Sequence, residues 1–330
     1  MPTRMHNEPL FDIFSYARRG PGQRIHLSKS EIEQIARIAQ RTPEVMVKVL
    51  PKGANCLGAV RRHFSYIGRD GALDVETDDG DKLRSEVVGD DLVEDWDLDV
   101  MQQRGKLDLG PPMGKQAPRL VHKVMFSMPA GTPPDKVLAA VRNFAREEFA
   151  LKHRYAMALH TDEPHPHVHV VIKAVSDQGQ RLNIRKATLR EWRTEFARHL
   201  RALGAPANAT QRHVRGETCP RKSDGIYRAS LRGESTHMRE RAEAVARELK
   251  AGVLRIEAGK AKLVRTYDDV RLAWLAVSDI LTQEKQLELA AQVRRYADQM
   301  PPPLTEKEHL ATRLVEYARG LRARERDISR

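Results

Sequence analysis

His160-Thr-Asp-Glu-Pro-His-Pro-His-Val-His-Val-Val-Ile-Lys173 decides how the rest of the chain is read. Four of the thirteen histidines fall within ten residues here. Val168, Val170, Val171 and Ile172 are β-branched and the run is short, which predicts a strand. Successive strand side chains point to opposite faces, so His165, His167 and His169 share one face. Val168 and Val170 take the other face, toward a core. His160 and Asp162 end a preceding strand that starts at Arg154. A Thr-Asp-Glu-Pro turn then brings His160 back beside His167 and His169.

Neutral imidazoles of His160, His167 and His169, converging from neighbouring strands, make a site for a divalent metal with open positions. Asp162 is placed to orient one of them. One or two histidines on an exposed strand are merely solvated. The pattern His-x-Asp-x4-His-x-His ahead of an apolar strand favours the metal, although spacing alone leaves a structural zinc site open.

Composition narrows the partner. A formal charge of +12 and a pI of 9.8 point to a polyanion, most simply nucleic acid, with a membrane surface as the competing reading. No run of eighteen apolar residues and no signal-type start are present, so nothing is expected to span or be exported. Cys56 and Cys219 fit no metal or redox spacing, and a cytoplasmic location is the default.

Around the histidine stretch, the chain divides into an N-terminal lead with a short helix (1–42), a central domain (43–205), a basic loop (206–235) and a helical C-terminal region (236–330). Strands are expected at Glu44–Leu50, Leu120–Ser127 and Arg181–Asn183. Helices are expected over 31–40, 57–67, 135–151 and 188–203, the last ending at Gly204. Helices over 236–260, 268–300 and 303–326 follow, the last two separated by Pro301-Pro-Pro303. Pro111-Pro-Met-Gly114 reads as a linker. Residues 71–100 hold twelve acidic residues against Lys82 and Arg84 and read as a solvated insert, with Asp78-Asp-Gly80 as a hairpin tip. From 181 to 250 the balance reverses to seventeen Lys and Arg against eight acidic residues, including the pair Arg221-Lys222. Strands with intervening helices, then a helical tail, give an α+β fold.

Tyr66 closes the helix over 57–67 beside Arg61, Arg62 and Arg69. In isolation such a tyrosine is half-buried packing; beside a metal it is a nucleophile. A metal on a non-bridging phosphate oxygen makes phosphorus more electrophilic, and a tyrosine can then attack to leave a phosphotyrosyl link and a free 3′-hydroxyl. A phenol ordinarily ionises near pH 10, so a base, a metal or arginines must assist. Lys and Arg, Lys173 among them, supply phosphate affinity.

The stretch His160-Thr-Asp-Glu-Pro-His-Pro-His-Val-His169-Val-Val-Ile resembles the third motif of the relaxases, the conjugative mobilisation nucleases. They belong to the endonucleases named for a His–hydrophobic–His pair, here His167-Val168-His169. Phe64-Ser-Tyr66-Ile-Gly-Arg-Asp70 resembles their first motif and Val124-Met-Phe-Ser127-Met-Pro129 their second, in the family's order over roughly residues 45–205. The resemblance implies an antiparallel palm-like sheet with flanking helices packed on one side. It also implies site- and strand-specific nicking at an origin of transfer, with a 5′-phosphotyrosyl adduct. Tyr66 would then be the attacking tyrosine, and His160, His167 and His169 the ligands of Mg²⁺ or Mn²⁺, with Zn²⁺ as an alternative. Ser127 would contact DNA beside the cut, and Asp162 would tune a ligand histidine or activate the tyrosine. DNA single-stranded around the nick is the expected partner, with accessory relaxosome and type IV secretion coupling proteins beyond it. The lead departs from the family in length and carries Tyr16, in Phe14-Ser-Tyr-Ala-Arg-Arg19, a competing nucleophile.

Two rivals remain. His165-Pro-His167-Val-His169-Val-Val171 fits the histidine-triad nucleotide hydrolases, although Pro166 suits such a strand poorly and the positive charge is left unexplained. The other rival is a non-catalytic DNA-binding protein with a structural metal.

Overall fold

The computed structural model describes residues 13–14, 26–50, 52, 54–109, 118–217 and 232–328. Tyr16, Pro111–Gly114, Cys219 and the pair Arg221-Lys222 lie outside the described residues. The chain divides into two units, residues 41–209 in one and the remaining described residues in the other.

The first unit is built on a six-stranded sheet in the order β1-β4-β6-β5-β2-β3. The strands are β1 (Met46–Leu50), β2 (Val75–Thr77), β3 (Lys82–Leu83), β4 (Val121–Ser127), β5 (Tyr155–His160) and β6 (His167–Lys173). Every neighbouring pair is antiparallel. Strict alternation sorts the side chains. Val47, Val124, Phe126, Val168 and Val170 face one way, into a core shared with α5 (Pro134–Phe149) and α6 (Lys186–Ala202). Phe126 is the hub of that core, with ring centroids 5.0 Å from Phe144 and 5.3 Å from Phe196. Trp192, Phe196 and Leu200 recur on the stripe that α6 buries, each contributing about 1.5–3 kcal/mol by leaving water.

The opposite face is apolar too. Val121, Ala156, Ala158 and Val171 lie beneath α2 (Leu57–Ile67), whose Val60, Phe64 and Ile67 are fully buried. The sheet therefore carries helices on both faces rather than on one. The acidic segment contributes to this second layer. Val88, Leu92 and Val93 of α3 (Val88–Asp95), together with Trp96, are buried, and Trp96 meets Phe64 edge-on at 5.3 Å. Four of its carboxylates tie it to the sheet unit: Arg154 pairs with Asp78, Asp79 and Asp95 at 2.8–2.9 Å, and Glu76 grips Arg142. A solvated insert does not describe it, because its apolar residues keep helical spacing beneath an acidic surface. Gly80, at φ 94°, makes the β2–β3 turn at the expected Asp78-Asp-Gly80 tip. The helix α4 (Leu98–Leu109) follows. At 181–183 no strand forms among the described residues, only an isolated bridge between Val175 and Arg181, since the chain turns directly into α6.

The second unit contains α1 (Lys29–Ala39), α7 (Thr236–Lys250), α8 (Lys260–Gln283), α9 (Leu287–Asp298) and α10 (Glu306–Ile328). Ser28 caps α1 in a reciprocal box with Glu31. The single helix expected over 268–300 is two, separated where Lys285 adopts φ 64°. The helix expected over 236–260 stops at Lys250, ahead of Gly252 at φ 71°. Trp274 anchors this core and donates from its indole nitrogen to the Val214 carbonyl at 2.8 Å. No helix of the described residues is long and apolar enough to cross a membrane.

Candidate metal centre and tyrosine site

The site lies where β5, β6 and the end of α2 meet. The register sets His160 opposite His167 and Ala158 opposite His169, so the three histidines share the α2 face. All three are buried, and one nitrogen of each lies within 4.8 Å of the others. His165 falls outside the strand. It is exposed, and its Nδ1 accepts from the Ala130 N–H at 3.0 Å, so it does not join His167 and His169 on their face. The histidine-triad reading, which needs a strand from 165, loses its first residue.

Hydrogen bonds orient the rings. His160 Nε2 donates to the Ile67 carbonyl at 2.8 Å, and His167 Nδ1 donates to the His165 carbonyl at 3.0 Å. His169 Nδ1 is buried with no partner among the described residues. Burial pushes the His169 imidazole down to about 3, with His160 and His167 adding to the shift, and burial also lowers His160. Preoriented imidazoles, with His160 and His169 favoured neutral by burial and one buried nitrogen left over, are a donor set that fits a divalent cation. A second cluster, Glu147, Glu195 and His199, does not fit so well, because Arg198 sits between both carboxylates at 2.5 and 2.8 Å.

Tyr66 stands on the last turn of α2, 48% exposed, above this cluster. Its ring meets His160 and His169 edge-on, at centroid distances of 5.8 Å in both cases. Immediately beyond it Arg69, Asp70 and Gly71 all adopt left-handed backbone, at φ 50°, 52° and 88°. The two non-glycine residues are strained by about 1 kcal/mol each. The corner turns Arg69 back over the site: its guanidinium lies 4.8 Å from the Tyr66 ring centroid, pairs with Asp162 and comes within 3.2 Å of His160 Nδ1. Asp162 therefore reaches the histidines through Arg69 rather than by direct contact. Burial works to raise its carboxyl, but its own backbone hydrogen bond and Arg69 hold it below the usual range.

The other expected contacts scatter. Ser127 is buried at the end of β4, directly across from His167. Arg61 is turned to Asp90 at 3.0 Å, whereas Arg62 is exposed on α2 one turn before Tyr66. Lys173 shares the histidine face but lies four residues beyond His169, about 13 Å along the strand. Sequence reasoning overlooked His63. Its ring stacks on Tyr66 at 5.9 Å and 17°, meets His169 edge-on at 5.9 Å, and is pushed down to about 3 by burial and by Lys123. The available signal was its position three residues before Tyr66 on a helix, which puts the two on one face.

Residues 68–204 match the family model described as relaxase, MobA/VirD2-like, nuclease domain, so Tyr66 lies just ahead of the matched span. The T-DNA border endonucleases VirD2 of Agrobacterium fabrum (strain C58 / ATCC 33970) and of Rhizobium rhizogenes are each 28% identical over 135 residues. These alignments cover 39% of this chain and 30% of each relative, less than a third of the relatives' own length. A solved structure reported as "Molecular Basis of Vancomycin Resistance Transfer in Staphylococcus aureus" aligns with 12% identity and a TM-score of 0.31. It covers 52% of this chain and 99% of that one, and at that score carries no weight for function. The family match and the two relatives thus agree in making residues 68–204 similar to the nuclease domain of MobA/VirD2-like relaxases.

Proposed function

We propose that the chain is a site- and strand-specific DNA nickase that begins transfer of a mobile element by cutting one strand at an origin of transfer. The observation that carries this reading is Tyr66 held half-exposed over three buried, mutually close histidines. His160, His167 and His169 would hold the cation, Mg²⁺ or Mn²⁺ before Zn²⁺, which when bound withdraws electron density from a non-bridging phosphate oxygen. The Tyr66 hydroxyl oxygen attacks phosphorus, the P–O3′ bond breaks, and the departing 3′-oxygen takes a proton. The product is a 5′-phosphotyrosyl adduct with a free 3′-hydroxyl, and the reverse attack religates the strand. Arg69 brings positive charge to the ring face, where it offers the phosphate a counter-charge, and Asp162 holds that guanidinium in place. Ser127, paired with His167 across β4 and β6, would contact the phosphate adjoining the cut. Accessory relaxosome and type IV coupling proteins in a bacterial cytoplasm complete the proposal.

The test uses single-stranded oligonucleotides tiling the DNA next to the gene, incubated with protein and Mn²⁺ or Mg²⁺ and run on denaturing gels. A slow-migrating covalent adduct is expected, lost with Tyr66→Phe and with EDTA and kept with Tyr16→Phe. An adduct lost only with Tyr16→Phe would keep the activity and move the nucleophile. Tight DNA binding with no adduct on any oligonucleotide would overturn the nickase in favour of a metal-containing binding protein.

A further inference from the structure

The histidine face does not end at the metal ligands. Register carries one row of side chains across four strands, from His160 to His167 to Ser127 to Met46. The next row runs from His169 to Met125 to Lys48. Adjacent strands lie about 4.8 Å apart, so Met46 is about 10 Å from His167 on the same side of the sheet. On this side α2 packs over β5, while at the β1 end Met46 is 46% exposed, Lys48 is exposed and Met125 is half-buried among the described residues. Met46 and Tyr66 are thus two large apolar side chains left in water on either flank of one cluster of histidines. A single exposed methionine needs no explanation by itself; what marks Met46 is its place in one row with Ser127, His167 and His160, beside Lys48. A polarizable thioether gives a base a flat, adaptable contact, and the neighbouring lysine gives a phosphate its counter-charge.

We propose that Met46 and Lys48, with Met125 between them and the histidines, form a subsite for the single-stranded DNA adjoining the scissile phosphate. Met46 and Met125 bear on a base and set its preference, and Lys48 holds a backbone phosphate. The proposal rests on the nickase reading and extends it to the question of which side chains read sequence.

The full chain, with Mn²⁺, is given a pool of single-stranded oligonucleotides carrying a randomised block. Molecules captured as covalent adducts are sequenced. Met46→Gln keeps length and is tolerated on an exposed edge; Leu151→Asn, at a side chain 96% exposed on the unit's surface, is the control. The wild type and the control should share a base preference beside the cut. Met46→Gln should flatten it at one neighbouring position by up to about tenfold, the ratio a sulfur–ring contact at the top of its range supports. Lys48→Gln should keep the preference and lower the salt dependence of binding by about 0.7 in log–log slope, one phosphate's share for a single strand. Adducts whose preference is unchanged by Met46→Gln, with an unchanged salt slope for Lys48→Gln, would overturn the subsite and leave the nickase standing. No adduct from the wild type would remove the nickase reading, and the subsite with it.

Discussion

Arg142 and Glu76 tie α5 to β2, and breaking that tie from one side gives a prediction with a calculable size. Glu76 is 7% exposed, and its two carboxylate oxygens accept from Arg142 Nε and Nη2 at 2.5 and 2.7 Å. Arg142→Met keeps most of the aliphatic stem but strands a carboxylate in the sheet. Loss of one partner of a buried, bidentate pair costs about 3–5 kcal/mol, most of it the desolvation of the group left behind. The double variant Glu76→Leu/Arg142→Met removes both charges and should recover most of that loss, because no charge then remains to be desolvated. With a urea slope of about 2 kcal/mol per molar, the single variant should lower the midpoint by about 2 M. Hydrogen exchange over β4–β6 during a urea titration reads the sheet unit without the helical unit's transition. A single variant within about 1 kcal/mol of wild type, or a double variant as weak as the single, would refute the argument that this pair is held together by mutual need.

Three further outcomes are expected. His169→Ala should weaken Mn²⁺ binding by more than about 100-fold in calorimetry, beyond what loss of a merely supporting residue produces; an unchanged affinity would remove His169 from the ligand set. His122, 6% exposed and bonded through Nε2 to the Leu182 carbonyl at 3.1 Å, is pushed down to about 4 by burial and by Arg119. Its unfolded value is higher, so its stabilising contribution is full above about pH 6.5 and is lost as pH falls toward 4, on the order of 2–3 kcal/mol. His122→Leu should therefore flatten the acid limb of the stability curve, and a limb parallel to wild type would count against it. A Cβ on Gly89 would sit 2.6 Å from the Arg61 carbonyl oxygen, where α3 crosses α2, so Gly89→Ala should lower the calorimetric midpoint by the equivalent of about 1–3 kcal/mol. A midpoint at or above wild type would show that the crossing can open without penalty.

The strands and the histidine cluster were legible because their signals are local. Val168 and Val170 alternate with His167 and His169, and one alternation both sends the valines into the Phe126 core and leaves the imidazoles on the other face. Helix α2 was equally plain from Val60, Phe64 and Ile67. What escaped notice depends on tertiary partners. His63 is one residue of a helix until α2 docks and lays it against Tyr66 and His169. Charge concealed the packing of 71–100, although Val88, Leu92 and Trp96 already stood at helical spacing. His165 looked like the first residue of a strand because alternation extends back through Pro166, yet the turn ends only after it. Arg69 as the link between Asp162 and His160 needs a left-handed corner, and nothing in an arginine's identity announces one.

The three candidate ligands all come from a single β5–β6 hairpin, closed by residues 161–166, whereas Tyr66 is about a hundred positions earlier in the chain. Closing so short a loop sacrifices little chain entropy, while bringing α2 onto the sheet must wait for contacts distant in sequence. Assembly of the candidate ligand set and delivery of Tyr66 are therefore separable events during folding. A partly opened chain can bring the three imidazoles near one another before Tyr66 reaches them, and the Ile67 carbonyl fixes the His160 ring only once α2 has docked. On the proposed nickase reading this order is protective: the candidate ligands assemble first, and Tyr66 arrives only when the surrounding layers are complete.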